Sequence, residues 1–276
     1  MSHFYSVFIL LHETALERIL YTLNTVKTYK IQNRFLNFWS ALEYTLYPFP
    51  RLTIIEKARV VVPEVFSLFY IKNKMNILWS RLTHYLETRS EEGELNEAVQ
   101  FVNECKDDKD GGYDTTKVIA VFQNQEKVQK IVDNFSKHVV LQREIAELHM
   151  LITSPDKSVA AIESYYEGIK HDLNFIYRLR NQLIHSTKGT DDSLEHIGMR
   201  LYRYVNSVLS TILYYKEKNS EFTITDILGS IDATYRDYIS RYKVKFPEKK
   251  KIQDDERALS LTDAYNMVRP SYLFIE

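Results

Sequence analysis

The segment RLRNQLIHS, residues 178 to 186, sets Arg180, Asn181 and His185 close together. A guanidinium is a permanent cation whose forked N–H groups hold an anion, and an imidazole gains or loses a proton near neutral pH. Such a pair suits acid–base chemistry on an anionic substrate. Tyr166, Ile169, Leu173, Ile176 and Leu183 keep the alternating spacing of a buried helical seam, and that spacing reserves position 180 for an apolar side chain. Arg180 therefore points at the seam, where it needs a carboxylate, water or an external anion to balance it. His185 lies five residues on, about 140° around a regular helix, so a long arginine and a fraying last turn are needed to bring both groups to one cleft. The plainer alternative is that His185 complements the negative end of the helix and Arg180 is a structural ion-pair partner.

The elements that must position these groups are helices. Glycine and proline number only 7 and 6 in 276 residues, which leaves little turn chemistry for a many-stranded sheet. Long segments of helical period take their place and make the class all-α. Helices are expected over 4–30, 33–47, 52–71, 74–88, 94–105, 116–152, 157–186, 193–218 and 225–242, with Pro63 marking a fresh start or a kink. Leu194, Ile197, Leu201, Val205, Val208, Ile212 and Tyr215 form an unbroken stripe after the motif, so the last two long helices suit an antiparallel bundle. Gly189 reads as a stop and Ser193 as an N-cap. A soft boundary near 219 divides a domain of 1–218 from an extension of 219–276.

Arg180, Asn181 and His185 in RNQLIH resemble the R-x4-H signature of the HEPN-domain ribonucleases. FLNFWSALEYTL (35–46) is similar to the aromatic-Trp-x-Ala-Leu-Glu helix of their Apea-like subgroup, found in bacterial defence proteins. The resemblance covers 1–218 and implies a HEPN-type helical bundle with a long helical insertion and a C-terminal helical extension. It also implies an endoribonuclease that needs no metal or other cofactor. In that chemistry the RNA 2′-hydroxyl attacks its own phosphate, His185 moves a proton, Arg180 stabilises the phosphorane and Asn181 orients the phosphate or the histidine. The product is a 2′,3′-cyclic phosphate. Sites of this family are usually shared between two copies, so a homodimer facing RNA is expected, in antiphage defence or toxin-like growth arrest, with room for a regulatory protein partner. Glu43 is expected to pin Arg180, and Arg178, Lys188, Arg200 and Arg203 to form a cationic rim for the RNA backbone. The ordinary reading of Glu43 and of that rim is a solvated helix surface. Some family members carry a modifiable tyrosine two residues past the histidine; Thr187 stands there and argues against that control. A silent HEPN module for dimerisation or regulation, and a helical adaptor, are the alternatives.

Other features exclude more than they suggest. A net charge of −1 offers no global field for nucleic acid, so contact must be local. KDDKDGGYD (106–114) fails as a calcium loop because Lys106 and Lys117 occupy positions that need carboxylates. HETALE lacks the second histidine of a zinc-binding helix. Arg143 and His149 fit a looser R-x5-H form but precede and follow charged neighbours, as on a solvated face. Twenty tyrosines, Trp39 and Trp79 are core candidates first. VFILL is too short to cross a bilayer or to serve as a signal core, and the lone Cys105 fits a reducing compartment. A cytoplasmic, membrane-free protein is expected.

Overall fold

A computed structural model describes residues 31–48, 53–88, 96–107, 112–185 and 191–243, which form ten α-helices and one isolated antiparallel bridge between Lys106 and Tyr113. The class is all-α, as the hydrophobic period requires. In chain order the helices are α1 (Ile31–Leu46), α2 (Ile54–Leu68), α3 (Tyr70–Thr88), α4 (Asn96–Cys105), α5 (Thr115–Gln123), α6 (Gln125–Asn134), α7 (Val139–Thr153), α8 (Pro155–His185), α9 (Asp191–Lys218) and α10 (Ile224–Lys243). The helix expected over 4–30, the stop at Gly189 and the tail after 243 lie outside the described residues. None of the described helices is long and apolar enough to cross a membrane.

Local chemistry explains most boundaries. Thr53 and Glu56 open α2 with a side-chain cap, in which the Thr53 amide and hydroxyl both donate to the carboxylate, at 2.8 and 2.7 Å. Thr223 and Asp226 repeat the device at α10, at 2.9 and 2.6 Å. The stretch of helices expected over 116–152 holds three. Asn124 is the reason for the first break: its extended backbone ends α5, and its side chain accepts from the Lys127 amide to start α6. Ser193 was the expected cap of α9, but the helix starts two residues earlier, at Asp191. Pro63 neither starts nor ends a helix, since α2 runs through it. Lacking an N–H, Pro63 leaves the Arg59 carbonyl without its usual helical donor, and the Tyr166 hydroxyl approaches that oxygen at 3.4 Å.

The described residues gather into two compact units. One holds those of 31–67 and 164–237, the other those of 68–163 and 238–243, so α2, α8 and α10 each contribute to both. The expected division near 219 falls inside the first unit, which also takes in most of α10.

In the first unit α1 lies closest to α9, with the Phe38 and Tyr202 rings 5.1 Å apart. Phe35, Trp39, Leu42 and Leu46 of α1 are buried, as are Leu173 and Ile176 of α8 and Leu201, Val205, Val208 and Ile212 of α9. Both apolar stripes thus face the core, and each large side chain removed from water contributes about 1.5–3 kcal/mol. Helix α8 is tied to α9 through polar side chains: Asp172 accepts from the Tyr204 hydroxyl at 2.8 Å and pairs with Arg200 at 3.1 Å.

In the second unit α7 packs on α3, α5 and α6 through Leu141, Ile145, Leu148 and Leu151. Here the solvated reading of the looser motif holds for Arg143 and not for His149. Arg143 is exposed, but His149 is half-buried with Nδ1 2.6 Å from the Phe122 carbonyl oxygen, and Glu144 pairs with Arg81. The reason is that α7 is flanked by α3, α5 and α6, so its polar positions differ in how far they face solvent.

Candidate functional site

Helix α1 supplies the partners of the motif arginine. Trp39 and Glu43 are four residues apart and share one face of α1, so the indole N–H donates to Glu43 Oε1 at 2.6 Å. Arg180 Nη2 stands 3.5 Å from the same carboxylate oxygen, and Arg180 Nη1 donates to Asn181 Oδ1 at 3.2 Å. The Trp39 ring also packs against Tyr177 of α8 with centroids 5.5 Å apart. The seam position therefore receives a guanidinium because a carboxylate waits opposite it. The Arg180 and Glu43 side chains are 28% and 31% exposed, so the pair is half-screened and neither group is sealed.

His185 is the last residue of α8 and is exposed. Helical geometry turns it about 140° from Arg180. The face it occupies carries His171, Phe175, Arg178 and Gln182, all of them exposed. The structure brings Arg180, Asn181 and Glu43 together and sets His185 on another side of the same helix.

Beside that face runs an open groove of about 510 Å³ lined by Phe175 of α8 and His196, Ile197, Met199, Arg200 and Arg203 of α9. Phe175 and Met199 are 51% and 47% exposed, which marks an apolar floor without a covering element among the described residues. Two of the expected rim residues, Arg200 and Arg203, line it. Arg200 is committed to Asp172, while Arg178 and Arg203 are exposed and make no ion pair with a described residue. Lys188 lies outside the described residues.

Phe175, Met199 and Asp172 were not anticipated. Phe175 sits two residues past Leu173 and so falls off the apolar stripe, which is the signal that finds it: a large aromatic placed where the period demands a polar residue. Asp172 carries no such mark; only the fold reveals that it serves Tyr204 and Arg200. Burial first, and the Asp172 carboxylate after it, push the Tyr204 hydroxyl well above its ordinary range. That phenol remains a neutral donor. Among the described residues, no three histidine, cysteine or carboxylate side chains gather as metal ligands.

No family model, no curated protein and no solved structure matches the chain.

Proposed function

We propose that the chain is a metal-independent endoribonuclease of the HEPN type, acting in the cytoplasm as a pair of identical copies in antiphage defence or growth arrest. The observation that carries this reading is the exposed His185 at the end of α8, on a solvent-facing side of the helix that also carries Arg178 and Phe175, the latter lining an open groove with Arg203. The reaction needs a base to take the proton of the 2′-hydroxyl and an acid to protonate the departing 5′-oxygen. The 2′-oxygen bonds to phosphorus, the bond from phosphorus to the 5′-oxygen breaks, and a 2′,3′-cyclic phosphate and a 5′-hydroxyl result. One chain offers a single histidine at the helix end. Two copies related by a twofold axis there supply one imidazole for each proton transfer. Pairing also answers the divergence of Arg180 and His185, because Arg180 and Asn181 of one copy can serve the phosphate held at His185 of the other.

A second reading has its own support. The engagement of Arg180 by Glu43 suits a structural clamp, and a silent HEPN module would need no more. Purified protein incubated with mixed RNA in EDTA separates the two. The ribonuclease reading expects cleavage to cyclic-phosphate ends that falls by about 100-fold or more in both Arg180→Ala and His185→Ala. Equal cleavage in wild type and both variants, or none in wild type, sinks it.

A further inference from the structure

Resting on the ribonuclease reading, we infer that Arg178 is a second phosphate-holding arginine, acting on the scissile phosphate next to His185 of its own chain. Arg178 and His185 are seven residues apart on an uninterrupted helix, which places them two turns and about 10 Å apart along the axis and within about 20° around it. An Arg178 side chain extended toward His185 would bring the guanidinium and the imidazole to one phosphate over Gln182, which lies between them on that face. Arg180 has no such access within one chain, because it lies on the far side of α8 with one edge on Glu43 and another on Asn181.

Availability separates the two arginines further. Arg180 is half-buried and paired. Arg178 is exposed and has no hydrogen bond or ion pair with any described residue. A fork of five donors that engages no described residue is matched to the oxygens of a phosphodiester. Arg200, across on α9, is already neutralised by Asp172. The neighbouring residues favour a nucleotide chain at this spot: Phe175, one turn before Arg178, exposes its ring at the mouth of the groove, where it can stack on a base. Arg203 lies farther along the same groove and suits a backbone phosphate away from the reacting one.

The test is steady-state cleavage of a short single-stranded RNA in EDTA by wild type, Arg178→Ala, Arg178→Lys, Arg203→Ala and His185→Ala. Circular dichroism and urea midpoints verify folding, which loss of an exposed arginine with no partner among the described residues should not disturb. The expected result for Arg178→Ala is a fall in kcat of about 100-fold, because a donor to the charge-bearing phosphate acts in the transition state. Lysine should restore part of it, since it keeps the charge and loses the fork. Arg203→Ala should raise KM and leave kcat. Wild-type kinetics in Arg178→Ala, or a change confined to KM, overturns the inference while leaving the ribonuclease reading intact. Absence of cleavage by wild type, or its persistence in His185→Ala, overturns that reading and this inference with it.

Discussion

Glu43 serves two donors at once. Its Oε1 accepts from the buried Trp39 indole and faces the Arg180 guanidinium, so one carboxylate fixes a core aromatic and balances a seam cation. Removing it leaves the indole N–H without its acceptor and the half-buried guanidinium without its counter-charge, and an unsatisfied buried group costs about 1–3 kcal/mol. Glu43→Ala should therefore lower the urea midpoint by a loss in that range. Glu43→Gln, which keeps an acceptor for the indole, should lose roughly half as much or less, because the ion pair is solvent-screened. Equal stability of wild type and Glu43→Ala would show that the contact is incidental. This pairing also bears on legibility. The unusual arginine is plain from position 180 alone, and Trp39 with Glu43 stands out as an i, i+4 pair, but Glu43 and Arg180 are 137 positions apart in the chain. Nothing local joins them.

At the scale of helices, α2 shows how a breaker is accommodated. Pro63 lies within α2, and the helix continues past it to carry the buried Glu64 and Ser67. The freed Arg59 carbonyl meets the Tyr166 hydroxyl of α8, whose ring stacks on Tyr235 of α10 with centroids 5.4 Å apart. Burial first, then neighbouring carboxylates led by Glu64, push that hydroxyl up to about 12, so it donates throughout the neutral range. Tyr166→Phe should cost about 0.5–1 kcal/mol, since the bond is long and one net hydrogen bond contributes about that much. The loss should shrink in a Pro63→Ala background, where an amide returns to Arg59. Equal losses in both backgrounds, measured by urea unfolding as a double-mutant cycle, would show that the two features are independent.

The stability of the whole molecule should carry the mark of Glu64. It is 4% exposed, with one carboxylate oxygen unpartnered and the Asp232 carboxylate beside it. Burial first, and Asp232 second, push its pKa from the usual 4.5 up to about 8, while Arg236 opposes the rise. An acid raised in the folded state keeps a proton that the unfolded chain releases, so stability falls as pH rises from about 4.5 to about 8 and levels off above it. The slope is at most about 1.4 kcal/mol per pH unit. Glu64→Gln keeps a donor toward Asp232 and should flatten that slope when Tm is followed across this window; an unchanged slope would assign it to other groups. On the alkaline side the trend continues. The Cys105 thiol, fully buried, is pushed up to about 12 mainly by burial, and an unfolded thiol ionises earlier. The exposed caps act at the opposite end. Thr53 holds Glu56, and Thr223 holds Asp226, below the ordinary carboxylate range, so their contribution is lost as pH falls through the acid region.

The amino-acid order by itself determined the class, the positions of the long helices and the two apolar stripes of α8 and α9, because a 3.6-residue period is a property of contiguous chain. It also marked Arg180 as misplaced on a seam and Pro63 as a disturbance. Tertiary structure decided what each oddity means. It supplied Glu43 to Arg180, Tyr166 to the Arg59 carbonyl and Asp172 to Arg200, all across gaps that no local pattern spans. It also grouped most of α10 with α1 and α9 instead of leaving it as an appendage. The regular α8 backbone then separated Arg180 from His185 and aligned His185 with Arg178. Side-chain direction follows from helix phase and partners together, and the partners exist only once the chain has folded.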